Sequence, residues 1–104
     1  MQEYKYIIVP KNDVGMQELK NGYTESENLE EYKLTVEEFI ELDRNNVFEI
    51  INNHCNKLID EGEEETVTAK QLRELFQAIS IRIGTWLDAI NAAIRYKTCV
   101  YLIF

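Results

Sequence analysis

The chain has 104 residues, 45% of them hydrophobic and 29% charged, with four glycines and one proline. That length sets the scale of a single domain over residues 1–104, and so much apolar content argues against a disordered chain. Eleven Lys and Arg against 19 Asp and Glu leave a net charge of −8, which argues against direct nucleic-acid binding, because neutralising phosphate takes a surplus of bases.

Lys5 to Pro10 reads as a strand, with Tyr4, Tyr6 and Ile8 on one side and Ile7 and Val9 on the other. Pro10 has no N–H for a ladder and ends it. Asn12 or Asp13 N-caps a short helix to about Lys20, with Met16 and Leu19 inward and Gly22 at C′. Gly15 weakens that helix. Residues 23–34 are polar and acidic and read as loop, anchored by Leu29 and Tyr32. Thr35-Val36-Glu37-Glu38 fits a capping box and opens a helix that has Val36, Phe39 and Ile40 on one face and stops near Arg44, at Asn45-Asn46.

The next helix is expected from about Val47 to Asp60, since Val47, Ile50, Ile51, Cys55, Leu58 and Ile59 fall on one stripe and Gly62 follows. Glu63-Glu64-Glu65 reads as loop or as the approach to the last helix. Thr66 or Thr68 caps the last helical region, with Gln71 three residues after Thr68. From Leu72 to Ile94 an apolar stripe (Leu75, Phe76, Ile79, Ile83, Trp86, Leu87, Ile90) keeps phase across Gly84. It predicts one long helix, with a break at Gly84 as the alternative. Thr98 to Phe104 is β-branched, aromatic and uncharged, and reads as a strand apolar on both faces.

The fold class is therefore α+β: two terminal strands pair in a small antiparallel sheet packed by three or four helices, the longest near residues 68–95. A two-stranded sheet is marginal alone. A strand apolar on both faces needs cover on each, from helices or from a second chain, so a homodimer or a partner that adds a strand is expected.

The first residues lack the basic segment and longer apolar core of a secretory signal. No window approaches the ~18 uncharged apolar residues that span a bilayer. Cys55 and Cys99 are too few and too far apart for a disulfide scaffold and read as reduced thiols. The expected setting is cytoplasmic, with no membrane association.

The charge is unevenly spread. Residues 1–65 carry 17 acids and 6 bases, whereas residues 66–104 carry 2 acids and 5 bases. One acidic block runs from Glu25 to Asp43 with Lys33 as its single base, and a second from Asp60 to Glu65. A solvated surface that keeps a small domain soluble accounts for such blocks. The functional reading is an acidic face that docks on a basic partner. It assigns partner contact to Glu27, Glu30, Glu31, Tyr32, Glu37, Glu38, Glu41, Asp43, Asp60, Glu61, Glu63 and Glu64. The partner would be a basic protein, such as a nuclease or other nucleic-acid-binding protein, whose phosphate sites these carboxylates occupy.

Chemistry is poorly represented. His54 is the one histidine, and its neighbour Cys55 points about 100° away from it on a helix. One His and two separated Cys do not make a zinc site, Asp60 to Glu65 does not follow the calcium-loop spacing, and no glycine-rich phosphate cradle occurs. No enzyme activity, cofactor or metal is expected. Size and charge are those of small bacterial or phage immunity proteins, antitoxins and inhibitors, a likeness of class alone. The alternative is a homo-oligomeric structural or scaffold protein that associates through its C-terminal strand and long helix.

Overall fold

A computed structural model describes residues 4–60, 62 and 64–104. Among these residues the fold is α+β, a four-stranded antiparallel sheet in the order β2-β1-β4-β3 with five helices. The elements are β1 (Tyr4–Pro10), α1 (Asp13–Lys20), β2 (Leu29–Thr35), α2 (Val36–Arg44), α3 (Val47–Cys55), β3 (Glu64–Thr68), α4 (Ala69–Ile79), α5 (Gly84–Tyr96) and β4 (Cys99–Ile103).

The terminal strands pair as expected, with Ile7 opposite Leu102. They are the two central strands. β4 has β1 along one edge and β3 along the other, so it cannot take a further strand, and self-association by strand addition to β4 is closed off.

Alternation sorts the side chains of the sheet. Ile7, Val9, Leu34, Val67, Val100 and Leu102 face the helices and join Phe48, Ile51, Leu72, Trp86 and Ile90 in one buried cluster. Lys5 lies on the same side and is buried there, with Nζ donating to the Phe104 carbonyl at 3.0 Å and standing 5.3 Å over the Phe39 ring. On the other side Ile8, Leu29 and Cys99 are buried where α1 and the loop after it cross the sheet. Gly15 makes that crossing possible. A Cβ there would overlap the Asn28 carbonyl oxygen and come within 3.1 Å of Pro10 and 3.2 Å of Leu29.

Local signals hold where they are specific. Thr35 accepts from Glu38 N at 3.1 Å while Glu38 accepts from Thr35 N at 2.8 Å, and Thr68 and Gln71 form the same reciprocal box. Gly22 takes a φ of +90° just past the end of α1.

Four expectations are corrected. Leu29–Thr35 is a strand, not loop, and so is Glu64–Thr68. The long helix is two helices: α4 ends at Ile79, and α5 begins at Gly84. The stripe keeps phase because both helices bury their apolar faces in one core. The helix from Val47 ends at Cys55, not Asp60, because Asn56 turns left-handed at φ 56°. The Asn52 side chain then accepts from Ile59 N at 2.7 Å and donates to Ile59 O at 3.1 Å, which buries Ile59 and leaves Leu58 exposed.

Candidate functional site

The acidic stretch from Glu25 to Asp43 covers the loop before β2, β2 itself and α2. Within β2, alternation divides it: Glu30, Tyr32 and Leu34 face the helices, Glu31 and Lys33 the opposite side. Tyr32 Oη donates to Glu30 Oε1 at 2.9 Å, and Tyr96 Oη donates to Glu30 Oε2 at 3.1 Å. Burial, reinforced by its bond to the Glu30 carboxylate, pushes the Tyr32 hydroxyl up to about 12. Glu30 and Tyr32 thus tie β2 to the end of α5. Their polar atoms are engaged within the fold.

On α2, Glu38 is held by the capping box. Glu41 pairs with Arg44 at 3.3 Å and accepts from the Asn45 side chain at 3.2 Å, all on the exposed surface, where such pairs contribute little. Glu37 sits in the first turn, where the helix dipole favours a carboxylate. The carboxylates of Glu27, Glu31, Glu37 and Asp43 are exposed and make no hydrogen bond or ion pair among the described residues.

The second block lies elsewhere. Glu64 belongs to β3, at the sheet edge opposite β2. The Tyr101 hydroxyl donates to it, and that bond, ahead of burial, raises the Tyr101 hydroxyl to about 12. Asp60 is exposed in the segment that leads to β3 and interacts within the protein. Glu61 and Glu63 lie outside the described residues. Three strand spacings, ~14 Å, separate the β2 and β3 edges. The sequence leaves open whether the two blocks adjoin; in the fold Glu64 and Glu65, described members of the second block, lie in the strand at the sheet edge opposite β2.

Shallow depressions mark the surface. One of about 390 Å³ lies between the sheet and the loop after α1, lined by Tyr6, Ile8, Thr24, Glu25, Glu31, Lys33 and Ile103. Another of about 390 Å³ sets Glu37, Glu38 and Glu41 against Arg82. A smaller one of about 160 Å³ is walled by Met16, Leu19, Thr66, Cys99 and Tyr101 under α1. Lys20 also lines the depression under α1. His54 has Glu74 at 3.8 Å, both half exposed, and burial pushes the Cys99 thiol up to about 11. Among the described residues no three His, Cys, Asp or Glu are grouped to hold a metal ion, and no helix is long and apolar enough to cross a membrane.

Sequence reasoning missed Lys33 as a feature of the site. The signal was available in the alternation of Leu29, Glu31, Lys33 and Thr35 against Glu30, Tyr32 and Leu34, but acids on both sides of the strand obscured it. Comparisons with protein-family models, with curated proteins and with solved structures found no match to this chain.

Proposed function

We propose that the chain is a small, non-catalytic, acidic binding module that docks on a basic surface of a partner protein through its β2–α2 side. The observation that supports this reading is the set Glu27, Glu31, Glu37 and Asp43, exposed carboxylates on successive elements that the fold itself does not engage. Charges held this way project a field that steers a basic partner into contact, and the association weakens as salt rises. Glu41, held by exposed neighbours, is a further carboxylate of α2. The polar groups of Glu30, Tyr32 and Glu38 are engaged within the fold, and Glu64 belongs to the opposite edge of the sheet. The mechanism is occlusion, in which these carboxylates occupy the Lys and Arg sites where the partner would bind phosphate.

The test uses the wild-type chain and a Glu27→Gln, Glu37→Gln, Asp43→Asn variant as baits in native lysate at low salt, eluted with a salt gradient. The variant should keep wild-type thermal stability to within about 1 kcal/mol, as exposed substitutions do. A basic protein held by the wild type, released at moderate salt and lost from the variant supports the reading. Equal capture by both baits, or retention indifferent to salt, refutes it.

A further inference from the structure

An antiparallel sheet that ends in a regular, uncovered strand is a template for another strand. The two edges of this sheet differ. β3 has five residues and begins with two acids. β2 has seven residues, contains no proline, and keeps an unbroken register with β1 from Tyr4↔Thr35 to Pro10↔Leu29. Among the described residues, the one backbone hydrogen bond that β2 makes outside the sheet runs from Leu29 N to Ser26 O at 3.2 Å. The Thr35 N–H is taken by the Glu38 carboxylate at 2.8 Å, so the stretch left open for pairing is the middle of β2, around Glu31, Tyr32 and Lys33.

We propose that β2 pairs antiparallel with β2 of a second copy of this chain, about a two-fold axis through Tyr32, joining the two four-stranded sheets into one. The pairing rests on the strand and does not need the docking reading, although it takes up Glu31, one of the docking carboxylates.

The register follows from geometry. A two-fold axis normal to the sheet keeps every side chain on its own side, and directly opposed residues share a side. Only registers centred on a residue satisfy both conditions. Centring on Glu31 or on Lys33 sets like charges against each other at the axis, which is destabilising. Centring on Tyr32 sets Glu31 opposite Lys33 of the second copy, twice by symmetry, and places the open middle of the strand at the axis. Both charged groups are available: among the described residues the Glu31 carboxylate has no internal partner, and the Lys33 ammonium contacts the Tyr4 ring, 5.7 Å from its centroid. β3 has no base to set against Glu31. The contact is also closed, because one β2 edge meets another and nothing repeats. The ends of the joined sheet are then the short, acidic β3 strands, which resist further pairing.

Light scattering and sedimentation equilibrium test this with the wild type, Glu31→Lys, Lys33→Glu, the double exchange, and a one-to-one mixture of the two single variants. The wild type should reach twice the 12.3 kDa chain mass as concentration rises. Each single variant opposes like charges at two places and should raise the dissociation constant about tenfold. The double exchange restores both pairs and should return it to the wild-type value. The mixture should associate better than either variant alone, because each supplies the charge that the other lacks, and that rescue shows both to be folded. A wild type that stays monomeric at its solubility limit overturns the proposal. So does a dimer indifferent to both reversals, or a mixture no tighter than its components.

Discussion

Replacing Trp86 by Phe tests what separates α4 from α5. The indole is fully buried, meets the Phe48 ring edge-on at 6.4 Å, and donates through Nε1 to the Ile79 carbonyl at 2.7 Å. Ile79 is the last residue of α4, so its carbonyl has no partner within the helix. Trp86→Phe removes that donor and leaves a void where the five-membered ring was. A buried carbonyl left unsatisfied costs about 1–3 kcal/mol, and the void adds roughly 1 kcal/mol. The expected loss is about 2–4 kcal/mol, a large share of the ~5–15 kcal/mol that holds a domain together. Urea unfolding followed by far-ultraviolet circular dichroism measures it, since the variant lacks the one tryptophan and its fluorescence. Phe48→Leu is the control. It weakens ring contacts with Phe39, Trp86 and Phe104 but breaks no hydrogen bond, and should cost about 1–2 kcal/mol. A Trp86→Phe loss no larger than the control would refute the idea that a side chain from α5 terminates α4.

Three further predictions concern other parts of the molecule. Gly15→Ala should destabilise the protein although Ala is the better helix former by about 1 kcal/mol, because its Cβ overlaps the Asn28 carbonyl and lifts α1 off the sheet; a raised melting temperature would contradict that packing. A thiol reagent should label half-buried Cys55 before buried Cys99, with Cys99 modified at a rate that Gly15→Ala increases; equal native-state rates would show that α1 does not shield β4. Tyr32 and Tyr101 each rise from 10.0 to about 12 in the fold. The fold thus favours their neutral forms, so stability is complete below pH 10 and falls as pH climbs towards 12. Melting temperatures across that window should decline less steeply in a Tyr32→Phe, Tyr101→Phe variant, and an unchanged slope would count against these hydroxyls as the cause.

What the sequence shows clearly is what short-range chemistry decides. Capping boxes at Thr35 and Thr68 involve residues three apart, so no tertiary knowledge is needed to see them. β1 and β4 are legible because central strands bury both sides and need apolar residues throughout. β2 and β3 hide for the complementary reason. At a sheet edge part of each side is wet, so Glu30, Glu31 and Lys33 fit in one strand and Glu64, Glu65 and Thr66 in the other without cost to the core. The α4–α5 break escapes periodicity because a period counts residues along the chain and is blind to a change of axis direction. The site divides in the same way. Acid content is plain in the composition, but only the folded chain separates Glu30, Glu38 and Glu64, whose carboxylates accept internal hydrogen bonds, from Glu27, Glu31, Glu37 and Asp43, whose carboxylates have no hydrogen-bond or ion-pair partner among the described residues.

Docking and self-pairing meet at one place in the fold, and their combination has a consequence that neither has alone. β2 leads directly into α2 at Thr35. Pairing about Tyr32 places Thr35 of each copy opposite Leu29 of the other, so the two α2 helices begin about 20 Å apart at opposite ends of the joined strands. A dimer then presents Glu37, Glu41 and Asp43 twice, at a fixed separation. A partner with two basic sites at that span, or two partner molecules held together, would be bound with an avidity that one copy cannot supply. Glu31→Lys separates the effects: it breaks the strand pairing and leaves the α2 carboxylates in place. Against a partner immobilised densely on a surface, the wild type should dissociate much more slowly than Glu31→Lys. At sparse immobilisation the two should converge to within the modest change expected from one altered charge. Equal dissociation at both densities would mean that the acidic side acts one copy at a time, and that β2 pairing, where it occurs, serves something other than docking.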